Sequence, residues 1–215
     1  MSFHLSNKLG ESVEVPMSVA NKLFIMVANV NSIAAISGNP PQFDDTLELS
    51  SAAPEDSVPL TEDAEEGQNK SPNEGDMPLQ LSNLDYSKEV LEKVVHYAML
   101  PDDQRTANIP KPLIMPLKLL VQAHELDLVR EAEEKQFLVQ LLDIASYLRF
   151  EQLVALCAAY ISERIGEIAR GAPDIMTGSE RIREFLHMDN EWTPEEMEHL
   201  RREMEYVKQV DPRIY

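Results

Sequence analysis

The spacing of apolar residues changes along this chain, and that change limits the folds it can adopt. Apolar and polar residues alternate over Ser2–Leu5 and again over Ser12–Val15, with Gly10 between the two stretches. Alternation returns at Leu79–Leu81. The alternation predicts strands, and the glycine predicts the turn of a hairpin. Strands that flank a helix, with a pairing that needs a crossover, predict a small sheet covered by helices.

Helical spacing of apolar residues dominates the rest of the chain. The predicted helices cover Met17–Val30, Tyr86–Met99, Leu117–Leu128, Phe137–Leu148, Phe150–Ile165 and Pro194–Lys208. The helix over Phe137–Leu148 is apolar on a broad surface, which is typical of a central core helix. Pro110, Pro112 and Pro116 predict an irregular segment through Met115, before the helix over Leu117–Leu128. The predicted fold class is therefore α+β and mostly helical, with a C-terminal helical extension after the sheet.

An acidic segment separates the first predicted helix from the third strand. Residues 37–76 carry 11 acidic residues and one basic residue, so they contribute 10 of the 19 net negative charges of the chain. The segment is rich in Pro, Ser and Asn and has no sustained period, which predicts a disordered loop. An interaction tail or a site for acid-directed phosphorylation is the alternative.

Composition excludes several classes of partner. The chain has 215 residues, of which 43% are hydrophobic, enough to bury a core. A net charge of -19 opposes binding to nucleic acid or to anionic lipid. No apolar run has the length of a membrane helix, and Met1–Glu11 lacks the pattern of a signal peptide. A soluble, intracellular protein is expected, without nucleic-acid or membrane partners.

The sequence contains no recognisable catalytic motif. A phosphate-binding glycine loop, a Gly-x-Ser-x-Gly elbow and paired Cys or His at metal spacing are all missing from it. The single cysteine, Cys157, lies among Leu156, Ala158 and Ala159, as expected of an unreactive core thiol. No enzyme activity, no cofactor and no metal are expected.

A helix start is encoded near the C-terminus. Thr193 can cap a helix, Pro194 suits the first helical position, and Glu196 can return a bond to the cap amide. Trp192 and Met197 occupy the positions of a hydrophobic staple across this start. The last helix, Pro194–Lys208, places Tyr206 off its apolar stripe, where the ring is free to meet a partner.

Five parts of the chain carry a family resemblance. They are Gly10-Glu11 with Glu14-Val15 in the predicted hairpin, Val90–Tyr97, Ala145-Ser146-Tyr147-Leu148-Arg149-Phe150, Leu153-Val154-Ala155-Leu156-Cys157, and the run from Ile182-Arg183 through Leu186-His187-Met188 and Asn190-Glu191-Trp192 to Thr193-Pro194-Glu195-Glu196. Together they resemble the S-phase kinase-associated (Skp-type) adaptors of SCF ubiquitin ligases, which have a BTB/POZ fold. The resemblance implies a non-catalytic adaptor, cytoplasmic and nuclear, that bridges a cullin scaffold and F-box substrate receptors for ubiquitin-dependent degradation.

The resemblance also assigns domains and contacts. Residues 1–148 would form the BTB/POZ-like domain, with the cullin bound at Ser146 and Tyr147. Residues 149–215 would form the extension that binds the F-box protein. Its implied F-box contacts are Leu153, Val154, Cys157, Tyr160, Ile161, Ile182, Phe185, Leu186, Met188, Trp192, Met197, Leu200, Met204 and Tyr206.

The chain departs from the family pattern in three places. Gly166–Gly178 is an extra segment between the two F-box-binding parts, Pro110–Glu125 is longer than expected, and Ser179 replaces a family proline. A divergent member with an altered partner set is therefore expected. An elongin-C-like adaptor, or a self-associating BTB/POZ scaffold without a ligase role, is the alternative, and a weak homodimer through the first half is left open.

Overall fold

The computed structural model describes residues 2–37, 79–189 and 192–210. Apart from Ser37, the acidic segment lies outside the described residues, so its predicted disorder stays a prediction. Ser37 itself ends a helix.

Three strands form a mixed sheet. They are β1 (Ser2–Asn7), β2 (Ser12–Pro16) and β3 (Leu79–Leu84), in the order β2-β1-β3. β1 pairs antiparallel with β2 and parallel with β3, which confirms the predicted hairpin and crossover. The hairpin turn is built by Asn7, whose side-chain oxygen accepts bonds from the backbone N–H groups of Leu9 and Glu11. Gly10 has a φ of 79°, a conformation that glycine adopts without strain.

The helix predicted over Met17–Val30 is wrong as a single element. Two helices are present, α1 (Met17–Leu23) and α2 (Ile25–Ser37), and the second extends beyond the predicted end. They are separated by Phe24, whose backbone is extended and whose side chain is fully buried. The break allows the Phe24 ring to be buried in a position that a continuous helix would not reach. The spacing of apolar residues cannot reveal a single extended residue between two helices.

The next helices match the predicted order with shifted boundaries. They are α3 (Lys88–Met99), α4 (Ala123–Glu134), α5 (Leu138–Tyr147) and α6 (Glu151–Gly171). The predicted start of a helix at Leu117 is wrong, since Leu117–Leu119 forms a 3-10 turn and α4 begins at Ala123. The segment from Pro110 to Met115 has no regular structure, as the prolines predict. Arg149, with a φ of 53°, separates α5 from α6 at the predicted break.

A buried carboxylate holds the start of α4. Glu125 is fully buried, and it accepts hydrogen bonds from the backbone N–H and the hydroxyl of Thr106 and from the backbone N–H of Gln122. Gln122 and Glu125 also form a capping box at this helix start. The long segment before α4 is therefore tied to the helix by specific bonds, because an unsatisfied buried carboxylate would be costly.

The last two helices are α7 (Ile175–Phe185) and α8 (Pro194–Val210). The capping box predicted for α8 is confirmed: the backbone N–H of Thr193 donates to Glu196 over 2.9 Å, and that of Glu196 donates to the Thr193 hydroxyl over 3.3 Å. The extra segment at 166–178 consists of the end of α6, a short turn and the first residues of α7.

Contacts divide the described chain into two compact units. The first unit runs to Met99 and includes Tyr147–Phe150, and the second comprises Leu100–Ser146 and the residues from Glu151 onward. The predicted domain boundary after Leu148 stays a prediction. The predicted fold class is confirmed: the protein is α+β and mostly helical, with a small three-stranded mixed sheet.

Four aromatic rings form the core of the first unit. Phe24 lies 6.4 Å from Phe3 and 5.5 Å from Phe150, measured between ring centroids, and Phe150 lies 5.5 Å from Tyr97. All four side chains are at most 1% exposed. We call these residues the aromatic cluster, and their size makes them a large source of stability in this unit.

Candidate partner-binding surfaces

The two residues predicted to meet a cullin are both exposed at the end of α5. The hydroxyl of Ser146 donates to the backbone carbonyl of Leu142 over 2.8 Å, so its own helix already uses its donor. Tyr147 is 49% exposed, while the next residue, Leu148, is fully buried. The buried side chain of Leu148 fixes the backbone next to Tyr147. The exposed ring of Tyr147 is therefore in a position that favours contact with another molecule.

The residues predicted to meet an F-box protein fall into three groups by burial. The buried ones are Leu153, Cys157, Tyr160 and Met197. The half-buried ones are Val154, Ile161, Ile182, Phe185, Leu186, Leu200 and Met204. The exposed ones are Met188, Trp192 and Tyr206. Burial limits the first group to supporting the helices, whereas the other two groups offer apolar surface. The role of every one of these residues stays a prediction.

Burial also explains the chemistry of Cys157. The thiol has no exposed surface, and this burial raises its pKa to about 12. The thiolate is the nucleophilic form of cysteine. At neutral pH the side chain is therefore protonated and packs as a small apolar group.

An apolar pocket of about 330 Å³ lies at the corner between α6 and α7. Ala169, Ile175 and Ile182 are among the residues that line it. The corner is tight because a Cβ atom added at Gly178 would lie 3.3 Å from the Cβ of Ala172. Ile182 is thus the one predicted F-box contact that lines this pocket among the described residues.

A second cleft, of about 290 Å³, lies between α7 and α8. Met176 and Met204 supply its apolar part, and Asp174 and Lys208 are among its charged residues. Asp174 caps α7 by accepting bonds from the backbone N–H and the hydroxyl of Thr177, at 2.9 and 2.8 Å. These two bonds, the backbone one first, lower the pKa of Asp174, and the charge of Lys208 adds to the effect.

The end of α7 has a defined backbone geometry. The N–H of Met188 donates to the carbonyl of Arg183, and the N–H of His187 donates to that of Glu184. His187 has a φ of 55°. This is a Schellman motif with a residue other than glycine in the left-handed position. The motif ends α7.

Sequence reasoning did not find a polar network between α4 and α6. The hydroxyl of Tyr160 donates to Glu133, and Arg164 binds the same carboxylate with its Nε at 3.0 Å and an Nη at 2.8 Å. Arg164 also pairs with Glu167. Burial, followed by the bond and the charge of Glu133, raises the pKa of Tyr160 well above its usual range, although Arg164 and Arg130 act in the opposite direction.

The spacing of Arg164 and Glu167 on one helix is a visible signal for an ion pair. Glu133 comes from another helix, and no local pattern connects it to Tyr160 or Arg164. Only the packing of α4 beside α6 brings the three side chains together.

The described ranges contain neither a metal-binding cluster nor a membrane-spanning helix. No group of three or more His, Cys, Asp or Glu side chains in those ranges is arranged to hold a metal ion. Every helix that the structure describes is too short or too polar to cross a membrane.

A scan against protein-family models and a search of curated proteins both gave no match to this chain. The resemblance to Skp-type adaptors therefore depends on the quoted residues alone.

Proposed function

We propose that this chain is a non-catalytic adaptor of an SCF-type ubiquitin ligase, acting in the cytoplasm and nucleus, which binds a cullin and the F-box motif of a substrate receptor. Binding both partners raises the effective concentration of the substrate near the ligase machinery without any bond being made on the adaptor itself. The observation that carries the proposal is the exposure of three large side chains at the end of the chain: Met188 and Trp192, between α7 and α8 in the stretch with the family resemblance, and Tyr206 further along α8.

The F-box side of the proposal is supported by the two faces of α8. Met197 is buried, so one face of the helix is packed. Tyr206 is 68% exposed, and Trp192, just before the helix, is 46% exposed. Exposed aromatic rings held on a packed helix are the side chains that most often supply binding energy at protein interfaces. An amphipathic F-box helix would cover them with its apolar face.

The cullin side is supported by Tyr147. The Ser146 hydroxyl is bonded within its helix, and the Tyr147 ring is 49% exposed, so the ring presents the larger exposed surface at this position. We expect the ring to bury apolar area against the cullin, and the serine to contribute less.

The test is a pair of binding measurements on each variant, one with an F-box peptide and one with a cullin N-terminal domain. The double variant Trp192→Ala, Tyr206→Ala is expected to weaken F-box binding by at least about tenfold, since two aromatic anchors are lost. Its cullin affinity should be unchanged. Leu9→Ala, at a side chain that is 83% exposed in the hairpin turn, is the control for loss of a surface apolar group.

Tyr147→Ala should have the reverse effect, with weaker cullin binding and normal F-box binding. Equal loss of both affinities in either variant would show that these residues support the fold and would contradict the assignment. Failure of the unmodified protein to bind either partner would contradict the adaptor function as a whole. Light scattering of the protein alone would then test for a symmetric dimer, as expected of a self-associating scaffold.

A further inference from the structure

The complete burial of side chains on α6 stops partway along the helix. Its buried residues are Leu153, Leu156, Cys157 and Tyr160, all in the first half of the helix. From residue 161 to residue 171 every residue is half-buried or exposed. A helix is held in a protein mainly by the packing of its apolar face. Polar contacts therefore have a larger share in setting the direction of the second half of α6.

Two hydrogen-bonded contacts connect this half of α6 to elements that precede it in the described chain. In the first, Glu133 on α4 accepts bonds from Arg164, whose Nε and Nη2 lie 3.0 and 2.8 Å from its Oε1. The Tyr160 hydroxyl donates to the same carboxylate. In the second, Glu163 accepts the backbone N–H of Leu117 over 2.9 Å. Both contacts therefore hold α6 just after the point where its complete burial stops.

The contact made by Glu133 is the more restrictive of the two. Tyr160 and Arg164 are four residues apart, so they lie on one face of α6 and both reach the same carboxylate. An arginine that binds a carboxylate through two nitrogens is fixed in direction as well as in distance. The side chains of Arg164 and Glu133 are 34% and 23% exposed, so solvent screens their pair only in part.

The position of α7 depends on that of α6. Among the described elements, α6 is the one that α7 contacts most extensively. The corner between them is tight, because a Cβ atom added at Gly178 would lie 3.3 Å from the Cβ of Ala172. We call residues 161–185 the α6–α7 arm. The arm includes three of the predicted F-box contacts, which are Ile161, Ile182 and Phe185.

We propose that Glu133 is a positioning residue for F-box binding, because it holds the α6–α7 arm at the angle that presents these contacts to the partner. Glu133 lies outside the parts of the chain that carry the family resemblance. The inference rests on the proposed function for the identity of the partner. Without Glu133 the arm would adopt several angles, and the partner would bind only the fraction of molecules with the correct one.

The first test measures the angle of the arm without any partner. Spin labels are attached at Asp127→Cys on α4 and Glu184→Cys on α7, both at exposed positions. Cys157 is buried and should stay unlabelled. Electron paramagnetic resonance then gives the distribution of distances between the two labels. Glu133→Ala should widen this distribution or shift its mean by about 3 Å or more, because residues 161–171 form a lever of about 15 Å.

Two control variants separate the position of the arm from other effects. Glu134→Ala removes the next carboxylate of α4, which is exposed, and leaves the bonds of Glu133 in place. Leu156→Val lowers stability through the buried face of α6 without removing either polar contact. Both should leave the distance distribution unchanged. Glu133→Gln keeps the side-chain length and one acceptor oxygen, so it should have an intermediate effect, and it serves in place of Glu133→Ala if that variant does not fold.

The second test measures the affinity for an F-box peptide. Glu133→Ala should weaken binding by about fivefold or more, because the partner must then order the arm as it binds. Its affinity for a cullin N-terminal domain should be unchanged, and Glu133→Gln should recover part of the loss. A residue that only stabilised the fold would act as Leu156→Val does, with a lower midpoint of thermal unfolding and a normal F-box affinity.

Three results would overturn the proposal. The first is an unchanged distance distribution in Glu133→Ala, whether or not an F-box peptide binds. The second is equal widening in Glu134→Ala, and the third is a normal F-box affinity in Glu133→Ala. Failure of the unmodified protein to bind an F-box peptide would instead contradict the adaptor function. The distance distribution would then still decide whether Glu133 fixes the arm.

Discussion

The aromatic cluster of the first unit and the α7–α8 region of the second unit are packed in opposite ways. The four rings of the cluster are buried almost completely by their own chain. In α7 and α8 the described residues that are buried are Gly178 and Met197, while Trp192 and Tyr206 are exposed. The aromatic cluster is a completely buried core. The α7–α8 region has apolar surface that the described residues leave exposed. Such surface is typical of proteins that bind a partner.

The largest expected effect on the free energy of unfolding comes from a substitution in the aromatic cluster. Phe24→Ala removes a ring that contacts two others and should lower the free energy of unfolding by about 3–5 kcal/mol, because it leaves a cavity. Urea denaturation followed by circular dichroism measures the change. Trp192→Ala is the counterpart in the other region and should cost less than about 1 kcal/mol, because the ring is half exposed. An equal loss of stability in the two variants would contradict the difference in packing between the two regions.

The pH dependence of stability tests whether the thiol of Cys157, on α6, is buried as completely as the aromatic cluster. The unfolded thiol of Cys157 ionises at an ordinary pKa of about 9, whereas the buried thiol keeps its proton to about 12. The stabilisation is complete below the unfolded pKa and is lost as the pH rises towards the folded one. Between pH 9 and 10 the free energy of unfolding should fall by about 1 kcal/mol.

The control for this prediction is Cys157→Ala, measured by urea denaturation at each pH. The variant should show a shallower fall above pH 9, and the remaining slope would come from groups such as Tyr160, whose pKa is also raised. An identical slope in both proteins would mean that the thiol of α6 is accessible to solvent.

A smaller, local effect is expected at the start of α8. Thr193→Ala removes the cap, so hydrogen exchange of the amides in the first turn should accelerate by about fivefold. The backbone N–H of Thr193, followed by its hydroxyl, lowers the pKa of Glu196. This contribution is therefore present above the ordinary glutamate pKa and is lost as the pH falls below it. Glu195→Gln, at the neighbouring exposed carboxylate, should leave the exchange unchanged.

The smallest effect concerns the end of α7. His187 has a φ of 55°, so His187→Gly should raise the free energy of unfolding by about 0.5 kcal/mol by removing the Cβ penalty of that conformation. The urea midpoint measures it. Asp189→Gly, at an exposed residue without a positive φ, should instead be neutral or slightly destabilising. A loss of stability in His187→Gly would show that the imidazole makes contacts that outweigh its backbone strain.

Local chemistry explains which parts of the fold could be predicted. The hairpin, the helix over α3 and the cap at Thr193 depend on residues that are close in sequence, so period, turn residues and capping spacing were sufficient. For α8 the apolar stripe predicted that Tyr206 lies on another face, and Tyr206 is exposed. The residues of α7 were named from the family resemblance alone.

The sequence by itself determined the α+β class, the acidic composition of residues 37–76 and the start of α8, because each follows from neighbouring residues. Only the tertiary structure decided that Phe24 breaks a helix, since the ring packs on Phe150, which is distant in sequence. Only the tertiary structure made the polar network between α4 and α6, where Glu133 and Arg164 are 31 residues apart and meet across two helices. Such contacts have no local pattern because packing between distant elements creates them.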